Sequence, residues 1–138
     1  MTSESDKSLF NQYSTQFLRG MSERMRDSFS KSQLNEFLQE RFTFFREAIR
    51  RSGMVRVKKH KVPQFSLTEK NHNTLAIVEI VSPDAPFIVV TVEALMRELD
   101  LLILCKLHPI IGVELTEVNE LEKIFLPQQD FEKYDHLY

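Results

Sequence analysis

Glycine is scarce in this chain. Only Gly20, Gly53 and Gly112 occur among its 138 residues, and they are widely separated. A loop that cradles phosphate and a dinucleotide-binding turn both need closely spaced glycines, so neither is expected here. Cys105 is the only cysteine, which excludes an intramolecular disulfide and a cluster of thiolate metal ligands. Because Cys105 lies in an apolar stretch, we expect it to be a small buried hydrophobic residue.

Histidines are also few, and their spacing does not indicate a metal site. They are His60, His72, His108 and His136. No Ser-His-Asp or Cys-His arrangement is indicated. The polar N-terminus has no signal-peptide core, and no apolar run reaches the roughly 20 residues of a membrane span. We therefore predict a cytoplasmic chain that contacts no membrane and contains no catalytic, cofactor-binding or metal-binding residue.

Two amphipathic helices are predicted in the N-terminal part. Apolar residues recur every three or four positions over residues 8–27, although Gly20 interrupts this helix pattern. The second helix is marked at its start by the capping-box residues Ser30 and Gln33. Gly53 follows its basic end as a stop signal. Two such helices in succession predict a helical hairpin.

The next segment alternates between strand and helix patterns. Residues 54–62, "MVRVKKHKV", place valines on one side and cations on the other, as in a half-exposed strand. Residues 74–81 are mostly apolar and β-branched, which predicts a central strand buried on both faces. A helix over residues 86–99 follows, with Asp84 as its cap.

A further strand pattern runs over residues 101–115 and contains Pro109. Because proline cannot donate to a ladder, this strand is expected at a sheet edge or with a bulge. Residues 122–126 predict another short strand, and the C-terminal residues predict the approach to one more. The fold class is therefore α+β. We divide the chain into a helical segment, residues 1–53, and a segment with a partial β-α-β sheet, residues 54–138.

Charge is unevenly distributed along the chain, although the formal net charge is only −2. Seven Lys and Arg residues lie between Arg46 and Lys61, and seven acidic residues lie between Ile111 and Tyr138. This polarity fits either a contact between copies or two solvated faces. The basic cluster from Arg56 to Lys61 has no interleaved aromatic side chain for base stacking, so nucleic-acid binding is not favoured.

Two groups of residues are candidates for an effector site or an interface. They are Asp84, Ala85, Pro86 and Phe87 at a strand-to-helix turn, and His108 with Pro109 in the later strand pattern. The turn precedes a helix N-terminus, where free N–H groups and the helix dipole attract anions. Ordinary capping by Asp84 is the alternative. His108 suits a ligand contact or a pH-sensitive interface, and a half-exposed histidine bonded to a neighbour is its alternative.

These motifs occur in a characteristic order. "FREAIRRSGMVRV" at 45–57 is followed by "VEIV" at 78–81, "DAPF" at 84–87, "LMR" at 95–97 and "HP" at 108–109. The order resembles the N-terminal region of the large bacterial NAD-specific glutamate dehydrogenases. In that family a "VEIV" strand leads to "D-x-PFLVDSV", a helix with "LNR" and a strand ending in "HPV". The similarity extends from the second helix to the end of the later strand pattern.

Three positions depart from the family pattern. Val90 stands where the family usually has aspartate, Thr91 replaces its serine, and Asp100 stands where glycine commonly ends the helix. These differences put in doubt any polar contact that the family makes in the first turn of that helix. They indicate a divergent member.

The resemblance implies an ACT-like βαββαβ plan and a regulatory or assembly role. The parent enzyme would oxidise glutamate to 2-oxoglutarate with NAD, and its catalytic and NAD-binding residues would lie far downstream. In ACT domains an effector, here an amino acid, binds near the first strand-to-helix turn. Because residues 54–138 lack the second helix and last strand of a full unit, we expect a fragment of a longer polypeptide. Its partners would then be the catalytic region and other copies paired at the open sheet edge.

Two other functions remain open at this stage. One is a free-standing ACT-like domain that binds a small molecule or another protein. The second is a small nucleic-acid adaptor that uses the basic strand.

Overall fold

The computed structural model describes residues 4–59, 76–103, 105–125 and 136–137. In chain order the elements are α1 (Glu4–Arg19), α2 (Glu23–Asp27), α3 (Lys31–Arg50), β1 (Met54–Lys59), β2 (Ala76–Val81), α4 (Ile88–Glu98), β3 (Gly112–Leu115), β4 (Leu121–Phe125) and β5 (His136–Leu137). Helices come first and antiparallel strands follow, so the predicted α+β class is confirmed.

The helix predicted over residues 8–27 is divided in two. α1 ends just before Gly20, whose N–H closes the last turn by donating to the Phe17 carbonyl at 3.1 Å. Ser22 then begins α2, and its hydroxyl accepts a hydrogen bond from the Met25 N–H at 3.2 Å. The prediction of one helix was wrong because a poor helix former is followed so closely by a residue that caps a new helix.

α3 begins and ends at the predicted signals. The Ser30 hydroxyl accepts from the Gln33 N–H at 3.2 Å, and the Gln33 side chain accepts from the Ser30 N–H at 2.9 Å, which confirms the capping box. At the other end Gly53 has a φ of 129° and donates its N–H to the Ala48 carbonyl at 2.8 Å. An added Cβ at Gly53 would lie 3.3 Å from the Val81 carbonyl oxygen. Both the backbone angle and the close approach of β2 therefore favour glycine at this position.

The core lies between α1, α3 and the β3–β4 hairpin. The centroid of the Tyr13 ring lies 5.2 Å from that of Phe42 and 5.1 Å from that of Phe45. Later in α1, Phe17 contacts Phe37, which comes earlier in α3, with 6.1 Å between the ring centroids. The two helices therefore run antiparallel, and the predicted helical hairpin is confirmed. The buried core side chains are Leu9, Tyr13, Phe17, Met21, Leu38, Phe42, Phe45, Ile49, Ile111, Val113, Leu121 and Ile124.

The strands form two separate antiparallel sheets. One is the two-stranded pair of β1 and β2, called the ladder below, whose register runs from Met54 opposite Val81 to Lys59 opposite Ala76. The other has the strand order β4-β3-β5. Within the described residues, the two strands that α4 connects thus lie in different sheets. The predicted order of strand, helix and strand is therefore present, with each strand in its own sheet.

Two details of the strand predictions were wrong. β2 is not buried on both faces, because only Glu79 among its six residues is buried. The strand predicted over residues 101–115, at a sheet edge or with a bulge at Pro109, is shorter: β3 starts at Gly112, lies between β4 and β5, and has its irregularity between Glu114 and Leu115. Regular pairing starts at Gly112, beyond Pro109, because proline offers no donor and restricts the residue before it. The strand predicted over residues 122–126 is confirmed as β4.

Cys105 is exposed, so its predicted burial was wrong. Its Sγ lies 3.5 Å from the Sδ of Met25 at the surface. The apolar neighbours of Cys105 in the sequence predicted burial, but residues 101–103 are exposed as well.

Candidate interaction surface

The predicted turn at residues 84–87 connects β2 to α4 and is exposed. α4 starts at Ile88 and its N-cap residue is Phe87, which has a left-handed φ of 70° and a 75% exposed side chain. No side-chain hydrogen bond caps the helix, so the prediction that Asp84 caps it was wrong. A bulky aromatic residue rarely adopts positive φ. This backbone turn places the helix start at Ile88, after the residues that were expected to form its first turn.

His108 and Pro109 lie in the irregular segment that leads to β3. His108 is exposed and Pro109 is half-buried. In the part of the chain that the structure describes, no hydrogen bond or ion pair connects them with the turn at residues 84–87. The effector or interface role of these two groups therefore stays a prediction.

Alternating charges join α3 to one face of the ladder, called its inner face below. One carboxylate oxygen of Glu79 pairs with Nε of Arg41, and the other accepts from Nε of Arg56 at 2.7 Å. Arg41 also donates to Glu40 at 3.1 Å, and Nζ of Lys58 lies 3.9 Å from the same Glu40 oxygen. These five residues are called the charge cluster. The side chains of Arg41 and Glu79 are only 7% and 8% exposed, so each needs its partner to offset the loss of hydration.

Aromatic rings of α3 pack against two arginines of the charge cluster. The guanidinium carbon of Arg41 lies 4.8 Å from the centroid of the Phe37 ring, and that of Arg56 lies 4.6 Å from the Phe44 centroid. A planar guanidinium can lie on a ring while its edge donates to a carboxylate. The inner face of the ladder thus packs on α3 through charged side chains, in a position usually taken by apolar ones.

The sequence analysis missed this cluster, although it contained two signals. Glu79 is the only charged residue in the apolar strand β2. Arg41 falls on the apolar side of α3, directly before Phe42. Charged residues are rarely buried unless they are paired. Two opposite charges at apolar positions therefore indicate a buried pair.

Tyr13 links the charge cluster to the core, since it is buried and senses both Arg41 and Glu79. Burial has the largest effect and raises the pKa of the Tyr13 phenol well above its usual value of 10.0. The positive charge of Arg41 opposes this rise, and the Glu79 carboxylate adds to it. Tyr13 consequently remains neutral at physiological pH.

The charge cluster accounts for part of the basic segment. Arg56 and Lys58 both face acidic residues, with Lys58 the more loosely held of the two. The side chain of Lys59 and residues 60–61 lie outside the described residues. Nucleic-acid binding stays a prediction that was not favoured, and the pairing of Arg56 reduces the cations free for phosphate.

Four apolar residues of the ladder point away from α3, to its outer face. Val55 pairs with Ile80 and Val57 pairs with Val78 across the two strands. Their exposed fractions are 62% and 38% for the first pair, and 66% and 39% for the second. The predicted alternation of β1 is therefore present, but the charged side faces the protein and the valines face solvent.

α4 has only half-buried residues on its apolar side, among them Ile88, Val92 and Met96. None of its residues is buried. Leu95 and Leu99, one helical turn apart, are 50% and 58% exposed. Glu93 hydrogen-bonds to Lys106 in the segment after the helix, and this bond, assisted by the lysine charge, lowers the pKa of Glu93. α4 and its flanking residues, 87–103, expose the apolar side chains Phe87, Val90, Leu95, Leu99, Leu101, Leu102 and Ile103.

Two further classes of site were considered in the described residues. No group of three or more His, Cys, Asp or Glu is placed to hold a metal ion. No helix there is both long and apolar enough to cross a membrane. The outer face of the ladder and the α4 region, residues 87–103, thus form the candidate interaction surface.

A family comparison covers most of the chain. The model of the glutamate dehydrogenase ACT1 domain matches residues 13–137, which include the second part of α1, all of α3, the ladder and the α4 region. No curated protein and no solved structure matches the chain. The matched region contains the order of motifs from "FREAIRRSGMVRV" to "HP" on which the resemblance rests. The chain therefore belongs to the glutamate dehydrogenase ACT1 domain family.

Proposed function

We propose that this chain is a non-catalytic N-terminal segment of an NAD-specific glutamate dehydrogenase, with a role in regulation and assembly. The observation that carries the proposal is the family match over residues 13–137. The parent reaction is the oxidative deamination of glutamate to 2-oxoglutarate with NAD. The residues for that chemistry and for NAD belong to the catalytic region of the polypeptide.

The assembly role is supported by the distribution of apolar surface. A chain that works alone normally buries such side chains, whereas interaction modules expose them in patches. Here the outer face of the ladder and the α4 region expose apolar residues side by side with a well-packed core. A segment of this kind fits a protein whose working form has further contacts.

The regulatory role would involve an amino-acid effector. Its predicted site is the turn at residues 84–87, with His108 and Pro109 as the second group. The exposure of the turn and of His108 leaves both accessible to a small molecule. Titration of the isotope-labelled chain with the common amino acids tests this role, and saturable NMR shifts at residues 84–87 are the expected result. Shifts elsewhere only would remove this turn as the effector site.

The main experiment is immunoprecipitation from an extract of the source cells with an antibody raised against residues 1–138. We expect the antigen on a polypeptide far larger than the 16.3 kDa of this chain. We also expect the precipitate to oxidise glutamate with NAD and to be inactive with NADP. Activity with NADP alone would contradict the proposed cofactor specificity. A single band near 16.3 kDa without dehydrogenase activity would instead indicate a free-standing ACT-like binding domain.

A further inference from the structure

The exposed large hydrophobic side chains are concentrated in one part of the molecule. In the part of the chain that the structure describes, all of them except Val118 belong to the outer face of the ladder or to the α4 region. The outer face is a flat patch of two directly opposed, β-branched pairs. The α4 region supplies a helix with an exposed Leu95–Leu99 stripe. One chain therefore carries two different unpacked apolar surfaces.

The two surfaces match each other in size and shape. A helix with the 11 residues of α4 is about 16 Å long, and strands with the six residues of the ladder extend about 20 Å. A helix packed on a twisted sheet is one of the standard layer arrangements of protein cores. Within one copy this packing does not occur, because Val55 and Val57 of the outer face stay 62% and 66% exposed.

Charge also favours a contact between these surfaces. The last turn of α4 contains Arg97 and Glu98, is followed by Asp100 and has the negative end of the helix dipole, so this helix end is negative on balance. Arg51 directly precedes the ladder, and its side chain is 65% exposed. A negative helix end placed near Arg51 gives opposite charges at the rim of the contact.

The available apolar area is close to what a stable dimer needs. Burying one large aliphatic side chain removes about 60–120 Å² from water, as transfer energies imply, and these side chains are about half exposed. Eleven of them thus offer roughly 500 Å² in each copy. A typical stable interface buries about 800 Å² for each partner, of which somewhat more than half is apolar.

We propose that α4 of one copy packs on the outer face of the ladder of a second copy, and that the second α4 packs reciprocally on the first ladder. This contact deepens the assembly role proposed above and rests on it, since it identifies the surfaces and the partner. Packing of ladder against ladder would leave both helices exposed. The reciprocal arrangement covers both apolar surfaces of both copies, with the two-fold symmetry common among homodimers.

The test is sedimentation equilibrium of the chain of residues 1–138 and of single lysine variants. We expect a dimer for the unchanged chain. Val57→Lys on the ladder and Leu95→Lys on α4 should each weaken it about 100-fold, since each substitution occurs twice in the symmetric dimer at about tenfold per site. Val118→Lys is the matched control, because Val118 is 73% exposed outside both surfaces, and it should leave the dimer unchanged. Circular dichroism of each variant verifies its fold.

Mixing the two interface variants distinguishes the reciprocal arrangement from other dimers. In a mixed dimer the intact α4 of the Val57→Lys copy meets the intact ladder of the Leu95→Lys copy. One of the two contacts is then intact, and both lysines fall in the other. Because the first lysine already opens that contact, the second should cost less than it would in a separate contact, so the mixture should dimerise more tightly than either variant alone. No gain on mixing would overturn the helix-on-ladder contact.

Other outcomes also overturn the proposal. A chain that stays monomeric at its highest soluble concentration excludes a second copy as the partner. These surfaces are excluded if Val118→Lys weakens the dimer as much as the two interface variants do. They are also excluded if neither interface variant weakens it. None of these results alters the immunoprecipitation test, so failure of the dimer and failure of the dehydrogenase assignment remain distinguishable.

Discussion

Two regions of this molecule use apolar residues in opposite ways. In the packed region, formed by α1, α2, α3, β3 and β4, apolar side chains interlock in a buried core. In the open region, formed by the ladder and residues 87–103, most of the large apolar side chains are exposed. α4 has seven apolar residues among eleven and buries none, whereas α1 has five among sixteen and buries Leu9, Tyr13 and Phe17. Burial thus depends on the surface that a helix meets more than on the number of its apolar residues.

The charge cluster is where the two regions meet. Glu79 of the ladder is held between Arg41 of α3 and Arg56 of β1. Because this contact uses charged side chains, it leaves Val55, Val57 and Val78 on the outer face. We infer that the packed region provides the stability of the chain and that the open region provides its contacts.

The largest difference in stability is expected between two Phe→Ala substitutions, one in the packed region and one in the open region. Phe45→Ala removes a side chain that is 4% exposed, so the free energy of unfolding should fall by about 3–5 kcal/mol. Phe87→Ala removes an equal volume from a 75% exposed position and should change the free energy of unfolding by about 0.5 kcal/mol or less. Urea denaturation monitored by circular dichroism measures both. Similar losses for the two variants would contradict the division into packed and open regions.

Glu79→Gln tests the junction of the two regions. The substitution keeps the volume but leaves the buried Arg41 with Glu40 as its remaining charged partner. Because Arg56 is one-third exposed and screened by water, we expect a loss of about 2–3 kcal/mol, at the lower end for a broken buried pair. Glu98→Gln, on the exposed surface of α4, is the control and should have little effect.

Hydrogen exchange locates the effect of Glu79→Gln. Amides of β1 and β2 should exchange faster, while those of α3 keep their protection. Equal acceleration in α3 would show that the ladder is an inseparable part of the packed region.

Alkaline pH should weaken the junction through Tyr13. Its pKa is raised in the folded state from 10.0, so the folded chain holds the phenol proton after the unfolded chain has lost it. This stabilising contribution is complete below about pH 10. It is lost as the pH rises further, by about 1.4 kcal/mol for each pH unit. Stability curves between pH 8 and about 11 for the unchanged chain and for Tyr13→Phe test this, and the variant should lack this part of the loss. Parallel curves would contradict the role of Tyr13.

The smallest effects are expected from two glycines. Gly53→Ala places a Cβ on a residue with a φ of 129°, 3.3 Å from the Val81 carbonyl oxygen, and should destabilise by about 1 kcal/mol or more. Gly20→Ala meets only ordinary contact distances and should stabilise by about 0.5 kcal/mol. Thermal unfolding should therefore shift in opposite directions for the two variants. A loss at Gly20 would indicate that the break between α1 and α2 needs glycine itself.

Signals within a few residues of each other allowed accurate predictions. The capping box of Ser30 and Gln33 and the stop at Gly53 depend on hydrogen bonds and backbone angles that local sequence controls. The alternation of β1 has the same local origin. Two predictions that required knowledge of distant neighbours were wrong. Cys105 was expected to be buried and β2 to be central. Both expectations assumed that apolar segments pack against other residues of the same chain.

The order of motifs in the sequence alone indicated the glutamate dehydrogenase family, and the match over residues 13–137 confirms it. The helix boundaries of α3 and the two-sided character of β1 also follow from the residues themselves. Which side of β1 faces inward does not, because an alternating strand has two faces and no preference until a neighbour is present. The pairing of Arg41 in α3 with Glu79 determines which face is inside. An unpaired buried charge costs more free energy than an exposed valine, so the tertiary structure places the valines of β1 on the outer face.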